Sequence, residues 1–216
     1  MAFDWTKILG SLAGHGGDAL GVASAFTDGN TSDGLGFGAG ALGTISAGTG
    51  FYGAAKEKDW VGMLENGAGA VSGVADMAGG IAGLAGDKKS KKIAGYVSGG
   101  ANILGGLVGG GANLYTLLRR SQDPNKSAEE IAKDKSMAKA GLVGNVLKLF
   151  SGITGVGNAA YEEAGDNDVR KQRWQKAGQA SSVLGLLGGL FGSAIGGANG
   201  DFKEPEPPAA SQVPVP

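Results

Sequence analysis

The sequence predicts an all-α protein: glycine- and alanine-rich helical hairpins forming a bundle, followed by a disordered proline-rich C-terminal tail. Three observations predict it. Forty-four of the 216 residues are glycine, and many lie inside apolar runs. Alanine is abundant and β-branched residues are sparse, so helix outweighs strand even where glycine alternates with period 2, as in residues 34–40. Five of the six prolines fall in residues 205–216, a composition that builds no packed core.

Glycine in a helix interior costs roughly 1 kcal/mol relative to alanine, so a segment with eight of them loses roughly 8 kcal/mol. Close helix-to-helix approach is the expected offset, because glycine has no side chain to hold two backbones apart. Small residues four apart act in this way in membrane helices. Leu, Ile, Val and Phe together supply 47 residues, barely above the ~20% below which chains tend to disorder, so the core must be built largely from Ala and Gly.

The elements follow in order. Residues 1–30 read as an N-terminal amphipathic region, with a helix from Asp4 to Phe26 that carries a glycine-rich kink. Residues 31–201 form the hairpin domain, and charge divides it better than hydrophobicity does. Three stretches have no charge and eight glycines each: residues 34–55, 93–118 and 177–200. A helix of ~20 apolar residues crosses a bilayer core, so all three are long enough. Residues 66–86 and 140–161 are similar, with one charge each, Asp76 and Lys148. Between these lie a basic turn at 87–92 and charged segments at 119–139 and 162–176. The second of these breaks at Asp123-Pro124 and restarts as a helix at Ser127-Ala128-Glu129-Glu130. Residues 202–216 are the extended tail.

A faint internal repeat accompanies this layout. Tyr52, Tyr115 and Tyr161 each close an apolar stretch, with glycine four residues back (Gly48, Gly111, Gly157) and nine back (Gly43, Gly106, Gly152). The pattern suggests repeated helical hairpins. It puts the tyrosines at helix ends, where they cap a soluble bundle or sit at a membrane interface.

Catalytic and cofactor signals are missing from the sequence. With no cysteine, disulfides and thiolate metal sites are excluded. His15 stands alone among glycines and reads as a surface residue. No glycine-rich stretch leads into the Lys-Ser/Thr of a phosphate loop. Asp166 and Asp168 read as a loop turn. The near-neutral net charge of −1 gives no reason to expect nucleic acid. The first residues lack a basic region followed by an apolar run, so no conventional signal peptide is read there. The expectation is a protein that is not an enzyme and takes no cofactor.

The glycine spacing is the main motif. Gly188, Gly192, Gly196 and Gly200 step by four along one helix face, with Gly185 preceding them. Gly95-Gly99, Gly105-Gly109, Gly69-Gly73 and Gly79-Gly83 repeat the step, and all are expected at helix-packing faces. Asp76 and Lys148 are the expected pore-lining residues, since intramembrane charges face a bundle interior or an aqueous cavity. The charged segments read as solvated loops, with Lys88, Lys89, Lys91 and Lys92 as the candidates for lipid-headgroup contact.

In this combination the chain resembles the glycine-zipper pore-forming antibacterial effectors of type VI secretion systems. The resemblance rests on the series Gly188-Gly192-Gly196-Gly200 and on the Gly/Ala-rich blocks at 34–55, 66–86 and 93–118. It is compositional and covers most of residues 30–200; the proline-rich tail has no counterpart in it. It implies a protein that is soluble in its producer, held by a secretion component or chaperone, and exported without a signal peptide. It then inserts into a target-cell bilayer, as a homo-oligomer, against which a small membrane immunity protein would guard. Two other readings stay open: a phage or injection-machine protein ejected to line a channel, and a soluble scaffolding bundle.

Overall fold

The computed structural model describes residues 5–27, 29–86, 88–119, 124–164 and 167–198. They form six helices, and no strand occurs among the described residues: α1 (Trp5–Ala25), α2 (Gly29–Lys56), α3 (Trp60–Leu84), α4 (Lys88–Leu118), α5 (Ala128–Ala160) and α6 (Val169–Ala198). The all-α expectation holds. Each stretch marked out by charge coincides largely with one helix, from α2 to α6, and the N-terminal region supplies α1. The tail at 202–216 and Gly200 lie outside the described residues.

Local chemistry sets the boundaries. At the start of α5 the Ser127 hydroxyl accepts from the Glu130 N–H at 3.2 Å while the Glu130 carboxylate accepts from the Ser127 N–H at 2.7 Å. This capping box satisfies two donors that the first turn would leave orphaned. Hydrogen bonding from the Ser127 backbone N–H, and then from its hydroxyl, holds the Glu130 carboxyl below the usual Glu range. The carboxylate of Asp168 does the same work for α6, accepting from the Arg170 N–H at 2.7 Å. Helix α3 stops at Gly86, which takes a φ of 79° and returns its N–H to the Gly83 carbonyl. Only a residue without a Cβ adopts that left-handed terminus cheaply.

The helices pack as a closed ring. Among the described residues each helix packs against its two sequence neighbours, and α1 closes the circle on α6. Gln179 of α6 ties that seam, donating from Nε2 to the Ala25 carbonyl at 3.0 Å. Neighbours run antiparallel, as the α4–α5 register shows: Gly95 meets Ala159, Gly99 meets Gly152, and Asn113 meets Gly141. Helix α1 is thus a stave of the same ring as the glycine-rich helices. The faint repeat is matched only in part: Tyr52, Tyr115 and Tyr161 do lie at the C-terminal ends of α2, α4 and α5, but the glycines of the three copies are not packed alike. Gly48 and Gly43 have open space where a side chain would go, whereas Gly157, Gly106 and Gly152 are tightly packed.

Polarity around the ring is inverted relative to a water-soluble bundle. Bulky apolar side chains point outward on all six helices, among them Leu12, Ile45, Val71, Leu104, Val146 and Leu184, with Leu104 64% exposed. Among the described residues that are buried and apolar, only Val61 is larger than alanine. The buried polar residues are Ser72, Asn113, Asn145, Thr154 and Ser181. Monomeric soluble proteins rarely expose contiguous apolar surface on this scale.

Candidate functional site

Inside the ring is a lumen in two chambers, of about 920 Å³ and about 600 Å³, lined mostly by small and polar residues. Each is lined by all six helices. The smaller chamber carries no bulky apolar side chain in its lining; the larger carries Val61, Met137 and Leu147. The chambers share six lining residues, one from each helix in turn: Gly21, Ala39, Asp76, Asn102, Ser151 and Ser182. This belt is the junction of the two halves.

Small residues make the lumen by letting backbones approach. Were a Cβ added at Gly152, it would lie 2.6 Å from the Gly99 carbonyl oxygen; one at Gly99 would lie 2.8 Å from the Gly152 oxygen. The α2–α3 crossing is equally close, with a Cβ at Gly73 falling 2.7 Å from the Thr44 nitrogen and 2.9 Å from the Gly40 oxygen.

Asparagine fills the remaining gaps by one rule. Gly-x-x-x-Asn occurs at Gly62-Asn66, Gly109-Asn113 and Gly141-Asn145. In each, the Asn carboxamide donates to the carbonyl of its own glycine, at 2.8, 2.9 and 2.9 Å. Each also sits above a glycine of the neighbouring helix: Asn66 over Gly50, Asn113 over Gly141, Asn145 over Gly109. The second N–H of Asn113 and of Asn145 goes to Glu65 Oε1, at 2.9 and 3.1 Å. One carboxylate on α3 therefore joins α4 and α5 through carboxamides whose two N–H donors are both used. A buried polar junction of this kind is tolerable because its members satisfy each other.

At the belt, Asp76 Oδ1 accepts from the Ser98 hydroxyl and from Asn102 Nδ2, the latter at 3.2 Å. Lys148, one turn along α5 from Ser151, interacts electrostatically with both Asp76 and Glu65. Acids dominate the lining. The wider chamber has Asp18, Asp59, Glu65, Asp76 and Asp134 against Lys148 alone. The narrower adds Asp33 and Glu162 against Lys91. Among these acids, Asp33 pairs with Lys91 at 2.9 Å and Asp134 with Lys126.

The structure brings Asp76 and Lys148 together in the lumen. Gly73, Gly95, Gly99 and Gly109 sit at tight crossings, Gly69 against Ala47, Gly83 against Asp33, and Gly105 against Ser72 and Lys148. Gly79 is loose, with Ser98 at 3.9 Å. Gly185 is a correction: nothing lies within 4 Å of its would-be Cβ, and it faces the wide chamber rather than a helix. Gly188 meets only the flexible end of Leu147. Gly192 and Gly196 fall in α6, but their surroundings are outside the described residues, as is Gly200. Lys88 and Lys89 are exposed. Lys91 is a second correction: its ammonium belongs to the chamber mouth with Asp33. Lys92 pairs with Glu163 at 3.2 Å. His15 is half-buried, with Nδ1 shut off from solvent, rather than a plain surface residue. Asp168 proves to be a helix cap, and Asp166 lies outside the described residues.

Aromatic residues gather at the ring ends. Trp60 and Tyr115 meet edge to face at 5.2 Å, with Tyr52 exposed at the same end. Tyr161 lies at the opposite end, under the Arg170 guanidinium at 5.7 Å. Along α4 the outward Tyr96 and Tyr115 are separated by about 28 Å of helix. On mean hydropathy α5 alone among the described helices is long and apolar enough to cross a membrane. Among the described residues no group of His, Cys, Asp and Glu is placed to hold a metal. No protein-family model matches the chain, and neither the curated proteins nor the solved structures hold a significant match.

Proposed function

We propose that this protein is a membrane-inserting pore-former whose single chain encloses its own water-filled path. The observation that carries the reading is the inverted ring: all six helices turn bulky apolar side chains outward and glycine, serine, asparagine and carboxylates inward. Hydrocarbon suits the outer face, and water and ions suit the inner one. The ~28 Å between Tyr96 and Tyr115 matches a ~30 Å bilayer core, with aromatic rings at the interface. Hydropathy averaged over a helix understates such a structure, because each helix has one lipid face and one lumen face. A scaffolding bundle gives no reason for this outer surface.

The pore's cargo is small cations, favoured by an acidic lumen. In a target membrane the result is loss of the membrane potential. Delivery follows the resemblance to type VI effectors: soluble in the producer on a secretion component or chaperone, then inserted in a target-cell bilayer and opposed by a membrane immunity protein. One chain per lumen takes the place of the expected homo-oligomer, because the ring is already closed. The test is dissipation of an imposed potential in liposomes as protein is diluted. The reading expects a rate first order in protein; a high-order dependence would restore the oligomer, and no dissipation under any lipid or pH would remove the pore.

A further inference from the structure

Lys148 stands where a permeant ion would pass. It is the only base among the described residues lining the wide chamber, and it emerges from α5 one turn from the belt residue Ser151. Its ammonium crosses the lumen over α4 because Gly105 leaves room: a Cβ there would lie 3.1 Å from Nζ. Ser72 of α3 comes within 2.7 Å of the same point. Along α3 the lysine's two electrostatic partners, Glu65 and Asp76, are about 16 Å apart. The amine therefore lies between a carboxylate held by two asparagines and the carboxylate of the belt.

We propose that the Lys148 ammonium is a tethered counter-cation, occupying the path on the wide side of the Asp76 belt and limiting the flux of free cations through it. The inference rests on the pore reading above and adds a residue that sets its conductance and charge preference. A mobile cation entering from the wide side meets a like charge already seated between the two carboxylates that would attract it. Removing that charge leaves Glu65 and Asp76 to the permeant ion. Lys148 is a specificity-setting residue rather than a packing one, since its head is in the lumen and its removal opens no apolar core.

The experiment is planar-bilayer recording of the full chain in a KCl gradient, comparing wild type with Lys148→Gln. Loss of a like charge in a confined path raises local cation concentration, so K+ conductance at low salt should rise by about tenfold, the low end of electrostatic focusing. The reversal potential should move toward that of K+. Lys148→Arg should behave as wild type, and Lys139→Gln, a charge removed from the exposed part of α5, should change neither quantity. Should glutamine disturb folding, as read by circular dichroism, Lys148→Met keeps the stem and carries the same expectation. Unchanged conductance and reversal potential, or a folded but silent variant, would overturn the inference while the wild-type currents left the pore standing. A wild-type chain without currents would remove the pore reading and this inference with it.

Discussion

Replacing Gly152 with alanine tests whether backbone contact holds the ring. The new Cβ would sit 2.6 Å from the Gly99 oxygen and 2.7 Å from both Ile103 N and Ile103 Cγ1. Two of these are main-chain atoms, which no rotamer change can move away. Ordinary van der Waals separation would require α4 and α5 to part by about 0.8 Å. Such overpacking costs typically about 1–3 kcal/mol. The same substitution adds about 1 kcal/mol of helix propensity, so one variant alone gives an ambiguous sign. Gly144→Ala on the same helix resolves it, because nothing lies within 4 Å of that position. Both variants gain the propensity and only one suffers the clash, so their stabilities should differ by the clash alone, about 1–3 kcal/mol. Denaturant titration in mild detergent, followed by circular dichroism, measures the gap. Equal stability of the two variants would refute close backbone packing at Gly99–Gly152.

Three further outcomes are expected. Asn145→Ala removes a donor from Glu65 and empties the gap over Gly109, and should cost about 1–3 kcal/mol in the same titration; no loss would break the Asn–Glu junction. The chain has no cysteine, so Ser151→Cys and Ser182→Cys can be tagged selectively. A charged water-soluble thiol reagent should block liposome leakage at both and leave Val146→Cys, on the outer face, unaffected. Replacing Lys88 by glutamine should weaken partitioning to anionic vesicles by about 1 kcal/mol. Lys91→Gln should weaken it less, because its ammonium is already held by Asp33.

Much of the fold was legible in the charge pattern. Uncharged stretches became helices, the Ser127-Glu130 capping box opened α5, and Asp76 and Lys148 faced the interior. The site was only half legible, for a physical reason. Glycine spacing within one helix says that a face is small, not what that face meets. Gly185 faces open lumen and Gly99 meets backbone, yet both belong to apolar, glycine-rich segments. The tight partners Gly40 and Gly152 come from the other helix of each pair, and Gly80, on α3 itself, falls outside that helix's steps of four. A signal was present and overlooked in Gly-x-x-x-Asn. An asparagine four residues after glycine, inside an apolar helix, must return a donor to that turn and find an acceptor for the other. The three copies mark the polar seams more specifically than the step of glycines does. Glu65 carried no spacing signal, because its role depends on two asparagines 48 and 80 residues away.

The central claim is that the apolar outer face meets lipid while the inner face meets water. A nitroxide scan along α4 in liposomes measures it most directly, by comparing collision with oxygen, which concentrates in hydrocarbon, and with a water-soluble nickel chelate. Helix α4 carries both faces, with Val97, Leu104 and Leu107 outward and Asn102 at the belt. The account predicts two waves of helical period in opposite phase, oxygen peaking at the three outward positions and nickel at Asn102. Nickel access peaking at Leu104 and Leu107 would mean that the apolar face stands in water, and the chain would not be a membrane pore.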